Sequence, residues 1–352
     1  MGRVFGDWMS RKKKILVTGG SGFIAKHVIL QLLNEGFDVR ASVRTPSRSA
    51  EIMDAMVAHA KDTTDLESRL VFCTLDLNED DGWDEALKGC QALIHTASPF
   101  PMTPPLHEDD LIKPAVDGTL RALTAAQAAG VERVILTSSV AAIYNKRLAA
   151  GRNRYNETDW SESNSPLATP YSRSKTKAEK AAWNFVREYP EMKLTTINPS
   201  LVLGPPLDTK IGTSLKVVAR LLSGKDPMVP NLGMAVVDVR DIALMHVRAL
   251  QRPESAGSRF IGSERFMWMQ DIALLLKAEY PDRKIATRLA PDWVMRLMGM
   301  FDKTIAGIIP SLGQEIPLDN SAAAEVLGME FIEARQAIKT SASYLIREHL
   351  VP

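Results

Sequence analysis

The first half of the chain alternates short, largely apolar β-type runs with longer stretches of helical period. Ile15-Leu16-Val17 is followed by a glycine turn and then by Phe23 to Glu35, where apolar residues recur at three- and four-residue spacing until Gly36. Val39 to Val43, Leu70 to Leu75, Ala92 to His95 and Val134 to Leu136 repeat the apolar theme. A helix from about Pro114 to Ala129 leads into the last of them through Gly130. Strands this apolar are covered on both faces, as in a parallel sheet between helical layers. The right-handed crossover then gives a doubly wound α/β sheet of Rossmann type, with ligands at the carboxyl ends of its strands.

Beyond the strand Leu194 to Asn198 the regularity fades. Pro199, Pro205, Pro206, Pro227 and Pro230 surround a helical segment near Thr213 to Leu222. Val236 to Ala249 reads as a return to the sheet and a further helix. The tail from Trp268 is mostly helical, with breaks at Pro281, Pro291, Pro310 and Pro317. This predicts a nucleotide-binding unit over 11–200 and 236–265 and a smaller, discontinuous substrate lobe over 201–235 and 266–352. Met267, Trp268, Met269, Trp293, Met295, Met298 and Met300 are read first as helix core, with an adaptable apolar pocket as the alternative.

Composition narrows the function without naming it. The 352 residues are 45% apolar and 24% charged, enough for a core that needs no disulfide or metal. A net charge of +1 gives no reason to expect nucleic acid or an anionic membrane as partner. Cys73 and Cys90 lack a CxxC partner and the six histidines are scattered, so no metal is expected and a reducing compartment fits. Residues 1–10 hold no apolar run long enough for a signal peptide or a membrane span, so a cytoplasmic protein is expected. Arg11-Lys12-Lys13-Lys14 reads as a solvated approach to the first strand, and the first eight residues as a non-essential extension.

The turn Val17-Thr18-Gly19-Gly20-Ser21-Gly22-Phe23-Ile24-Ala25 joins strand to helix. There glycine lets backbone amides approach a pyrophosphate at the positive end of the helix, so Gly19, Gly22, Phe23 and Ile24 are candidate dinucleotide contacts. Ala25 stands where a last glycine is usual and is still small enough for close packing. Asp38 lies at the right distance downstream to hold a ribose 2′-hydroxyl, but it precedes the second strand. Ser42, Arg44 and, slightly later, Arg48 stand at the carboxyl end. Guanidinium there suits a 2′-phosphate, so NADPH is the expected cofactor, with Arg44 its main contact and Arg48 a weaker one.

Tyr171 and Lys175 form a YxxxK pair that shares one helical face. A neighbouring ammonium favours the phenolate and is expected to lower the tyrosine pKa toward neutrality. Tyr189 with Lys193 and Tyr280 with Lys284 match the same spacing, but Pro190 and Pro281 break their helices. Tyr171 instead opens a helix running to about Glu188, with Thr169 as N-cap and Pro170 in the first turn. The fifth strand ends in Thr137-Ser138-Ser139, where a hydroxyl faces the ligand crevice and can bond both a substrate oxygen and the tyrosine.

Val17 to Ala25, Val39 to Arg44, His95 to Phe100, Thr137 to Ser139, Tyr171 to Lys175, Asn198 to Pro205 and Val237 to Asp241 follow one another in a fixed order. Together they resemble the extended short-chain dehydrogenase/reductase family, in its branch of dihydroflavonol 4-reductases, cinnamoyl-CoA reductases and yeast methylglyoxal/aldehyde reductases. Asp319-Asn320 to Gly328 looks like that family's late helix. The resemblance implies that Asp76 and Leu77 flank the adenine and that Thr96, Ala97 and Ser98 line the cofactor. It also implies that Pro199 sits at the nicotinamide, Ser214 near the pyrophosphate, and Ser139 serves as the catalytic serine beside Tyr171 and Lys175. The cinnamoyl-CoA reductase signature around the tyrosine is absent, which argues against a CoA thioester. The expected activity is reduction of a small-molecule carbonyl compound by a monomer or homodimer. The alternatives are a sugar-nucleotide epimerase, a 3β-hydroxysteroid dehydrogenase, or a non-catalytic NADPH-binding protein.

Overall fold

Each apolar run of the first half is a strand in the computed structural model of the chain, which describes residues 13–98, 107–165 and 167–352. Residues 1–8, Met9-Ser10, the basic residues Arg11 and Lys12, and Pro99-Phe100 lie outside the described residues. The nucleotide half runs β1 (Lys14–Thr18), α1 (Phe23–Asn34), β2 (Asp38–Val43), α2 (Arg48–His59), α3 (Leu66–Arg69), β3 (Leu70–Thr74), α4 (Trp83–Leu87), β4 (Ala92–His95), α5 (Asp109–Ala128), β5 (Arg133–Thr137), α6 (Pro170–Glu188) and β6 (Lys193–Pro199). Then follow β7 (Leu201–Leu203), α7 (Leu215–Leu222), β8 (Gly233–Asp238), α8 (Val239–Gln251), β9 (Arg259–Gly262), β10 (Arg265–Trp268) and α9 (Met269–Glu279). The chain closes with α10 (Asp292–Gly299), α11 (Lys303–Ile308), α12 (Ser321–Leu327) and α13 (Ala334–Arg347).

The large sheet has the order β3-β2-β1-β4-β5-β6-β9 and its pairings are parallel. Alternation within β1 shows why its run is unbroken. Ile15 and Val17 join the core under α1, α2 and α8, whereas Leu16 joins the core under α4, α5 and α6. With both faces covered, no position is left for a polar side chain. A further core forms in the smaller lobe where α7, α9 and α13 meet β7 and β8 around Leu203, Val236, Ile272 and Leu345. No helix of the described residues is long and apolar enough to cross a membrane.

Three expectations are corrected. The helix read as starting near Pro114 begins at Asp109, with Pro114 inside it. Asp109 and Asp110 in its first turn favour the positive helix end and carry the extra turn past the one amide that proline removes. The segment read as returning to the sheet, β8, instead pairs with β7 and β10 in a separate three-stranded sheet. The edge of β6 is taken by β9, so β8 has no neighbour to join there. The apolar tail residues divide: Met267, Met269 and Met295 are buried, while Trp293, Met298 and Met300 are exposed. The eight-residue α10 rests Met295 against Ala290 and Leu312, turns Val294 and Met298 toward the apolar cavity of the smaller lobe, and leaves Trp293 and Leu297 outward.

Candidate active site

The glycine turn is held by three strand ends at once. Gly20 N donates to Ser42 O at 2.7 Å and Gly19 N to Ser42 Oγ at 3.1 Å, fastening the turn to β2. Thr96 Oγ1 donates to Thr18 O at 2.6 Å and Ala97 N to Thr18 Oγ1 at 3.1 Å, fastening it to β4. Gly19 has φ +67°, and a Cβ there would stand 3.0 Å from Ala97 Cα, so only glycine fits. Gly22 precedes α1 without any side-chain cap, which leaves the first-turn amides of the helix open toward an anion.

A cleft of about 590 Å³ lies over this turn. Gly19, Gly22, Phe23, Ile24, Arg44, Arg48, Leu77, Thr96, Ala97, Ser98 and Ser214 line it, as do Ser42, Thr45, Trp83, Val202, Gly212 and Thr213. The last three come from the stretch after β6 that also carries Ser214, the one residue of that stretch expected at the cofactor. Asp76 and Pro199 are not on this wall. Asp76 instead pairs with Arg44, Nε to Oδ2 at 3.5 Å, and Arg44 is 73% exposed at the rim. Arg48 donates to Glu51 Oε1 at 2.6 Å, which occupies it within α2. Asp38 opens β2 at the opposite end of the sheet, 3.9 Å from Arg69. A loop seals one side: Lys26 holds Asp208, Glu51 holds Lys210, and His27 Nε2 lies 3.0 Å from Pro205 O.

The second part of the site is built on α6. Thr169 and Ser172 form a reciprocal capping box, Ser172 N to Thr169 Oγ1 at 3.1 Å and Thr169 N to Ser172 Oγ at 2.8 Å, which fixes where the helix begins. Tyr171 is thereby set in the first turn and Lys175 one turn further. Ser139, just past β5, caps a short 3₁₀ turn over Val140–Ala142, and its side chain is hydrogen-bonded to that of Tyr171. Lys175 Nζ donates to Ser98 Oγ at 2.9 Å and lies 5.9 Å from the Tyr171 ring centroid. Ser98 belongs to the cleft wall, so Lys175 reaches the cleft through it; Ser139, Tyr171 and Lys175 are not themselves on that wall. Tyr189 and Tyr280 are C-caps of α6 and α9, and neither shares a helix with its matching lysine.

The expected lowering of the Tyr171 pKa is not what the structure gives. Burial pushes the phenol up to about 12, with the Ser139 hydrogen bond pulling the other way. The ammonium of Lys175 is spent on Ser98, and burial pushes it down to about 8 against the pull of Glu179. For each group desolvation is the largest effect. A neutral phenol held on a serine hydroxyl is a proton donor at neutral pH.

Among the described residues no group of three or more His, Cys, Asp or Glu is placed to hold a metal ion. An apolar cavity of about 310 Å³ lies in the smaller lobe, lined by Val217, Leu221, Met228, Met234, Met269 and Met295 among others, and Ser139, Tyr171 and Lys175 are not on its wall.

The sequence pattern of the NAD dependent epimerase/dehydratase family matches residues 15–261. Ketoreductase azaE of Aspergillus niger is 33% identical, over 96% of this chain and 99% of its own. Cinnamoyl-CoA reductase 1 of Petunia hybrida is 34% identical, over 78% of this chain and 79% of its own. The crystal structure of yeast methylglyoxal/isovaleraldehyde reductase Gre2 complexed with NADPH superposes with a TM-score of 0.78 at 30% identity, covering 96% of this chain and all of that one.

Proposed function

The chain belongs to the NAD dependent epimerase/dehydratase family, and on that footing we propose that it is an NADPH-dependent reductase of aldehydes or ketones. The observation that carries the reading is the hydrogen-bonded Ser139–Tyr171 pair beside a buried Lys175, at the end of a cleft whose other rim carries Arg44. The residues present fit the cofactor. Uncapped amides at the start of α1 suit a pyrophosphate, Gly19 leaves the space a Cβ would fill, and Arg44 suits a 2′-phosphate. NADPH supplies the hydride when bound.

The protein's own part is to bind and polarise the carbonyl. Ser139 and Tyr171 donate hydrogen bonds to its oxygen, and Tyr171 passes its proton to that oxygen as negative charge develops. Lys175 is the group that favours the resulting phenolate and would hold the nicotinamide ribose. Ser98 fixes where that ammonium sits. Thr96, Ala97, Leu77 and Ser214 form the remaining wall, and Pro199, which ends β6 off that wall, would lie toward the nicotinamide.

In this reading 11–200 and 236–265 hold the dinucleotide, while 201–235 and 266–352 shape the pocket for a small-molecule carbonyl compound. A cytoplasmic monomer or homodimer acting without nucleic acid or membrane completes it. The test is NADPH oxidation against aldehydes, diketones, bulky aryl ketones and dihydroflavonols, with NADH as control. Consumption of NADPH with at least one of these supports the reading. No turnover with any of them, in protein that binds NADPH, overturns it.

A further inference from the structure

One turn beyond Lys175, α6 carries a second charge into the protein. Glu179 is fully buried, and five side chains from around it satisfy its carboxylate. Ser138 Oγ donates to Oε2 at 2.5 Å and Asn198 Nδ2 to the same oxygen at 2.8 Å. Thr196 Oγ1 donates to Oε1 at 3.1 Å, Trp183 Nε1 at 3.3 Å and Arg259 Nε at 2.6 Å. Arg259 is fixed in turn, with Nη1 donating to Glu157 O at 2.6 Å and to Asp159 O at 2.7 Å, and its guanidinium lies 3.8 Å from the centre of the Trp160 ring. A buried carboxylate is tolerated only when its lone pairs are filled and its charge is answered.

Position makes this more than an anchor. Ser138 precedes Ser139, and Asn198 precedes Pro199 while also donating to Ser139 O at 3.2 Å. Ser98, Ser138, Lys175 and Glu179 face one void of about 10 Å³. The ionisable groups around Lys175 are Tyr171 and Glu179 on α6 and His95 on β4, and burial with the nearby ammonium holds His95 down at about 3, uncharged. Among the described residues, Glu179 is the one carboxylate in this set of neighbours.

We propose, resting on the reductase reading, that Glu179 is a positioning residue. Through Ser138 and Asn198 it fixes the Ser139–Tyr171 pair, and by its charge it keeps Lys175 an ammonium through neutral pH. Arg259 pairs with the carboxylate and keeps it aimed.

The test compares wild type with Glu179→Gln and with Glu179→Gln/Arg259→Gln, which removes the guanidinium together with the carboxylate it pairs with, so that an unpaired Arg259 does not decide whether the protein folds. Two readouts are taken. One is the alkaline limb of kcat/KM for carbonyl reduction. The other is the pH midpoint for acetylation of Lys175 by acetic anhydride in cofactor-free protein, followed by mass spectrometry. Both are expected to move down by about one pH unit in either variant, because the anion that favours the ammonium is gone. Folded variants with wild-type midpoints overturn the proposal and leave Glu179 a structural anchor. A shifted acetylation midpoint without any carbonyl reduction in wild type sustains the proposal for Lys175 and overturns the reductase reading instead.

Discussion

Lys175 gives its hydrogen bond to Ser98, 2.9 Å away, and not to Tyr171, whose ring centre stands 5.9 Å from it. The ammonium thus sits between the cofactor wall and the phenol. Acid strength at Tyr171 is set by burial and by Ser139 before any help from the lysine.

Replacing Tyr171 by Phe removes only the proton donor. The variant is expected to bind NADPH as the wild type does and to lose about 10²–10⁴-fold in turnover, the usual contribution of a general acid. Titration by NADPH fluorescence and steady-state rates check the two halves separately. Full activity in the variant would remove Tyr171 from the chemistry.

The two directions of the reaction are expected to answer pH oppositely. Burial raises the phenol to about 12, so the proton donor survives across the working range, while Lys175 titrates near 8. A group whose pKa is depressed on folding loses its charge early as pH rises. Reduction is therefore expected to fall through about pH 8, and alcohol oxidation, which needs the phenolate, to gain with alkalinity. Rate profiles from pH 6 to 10 in both directions test this; a flat reduction profile across pH 8 counts against Lys175.

Arg44→Ala is expected to weaken NADPH binding by roughly tenfold and leave NADH nearly untouched, since the side chain is exposed and in the proposed reading would meet the 2′-phosphate that NADH lacks. Calorimetric titration with both cofactors decides it. An unchanged preference would pass the role to another group on the rim.

Gly19→Ala places a side chain at φ +67° and 3.0 Å from Ala97 Cα. The expected loss is about 1–3 kcal/mol of stability together with NADPH affinity, because the turn must open from β4. Thermal unfolding and cofactor titration read both; a variant with wild-type values for each refutes the tight-turn argument.

The parts of this protein that were legible in its sequence are those set by local periodicity. Ile15-Leu16-Val17 faces two helical layers, and any polar residue there would break a core, so the run declares a buried strand. Tyr171 and Lys175 could be told from their two look-alikes because proline rules on helices locally. What stayed hidden depends on distant partners. Glu179 looks like an ordinary helical carboxylate until Arg259, Ser138 and Asn198 close around it. Thr213 and Val202 become cleft wall only when the irregular stretch after β6 folds back over the turn. The phenol of Tyr171 was expected to be acidic because spacing reveals a neighbouring lysine and is blind to burial.

Arg44 and Tyr171 stand at opposite ends of the same functional unit, and their surroundings differ in kind. Arg44 is held by Asp76 at an exposed rim, so exchanging it disturbs little of the fold. Ser139 and Glu179 are tied to residues of β6 and β9 and to Ser138 past β5, and Lys175 to Ser98 past β4, so exchanging any of them strains the scaffold as well. Cofactor preference is thus the trait this fold leaves open to drift, while its chemistry is locked in by the same bonds that keep it folded.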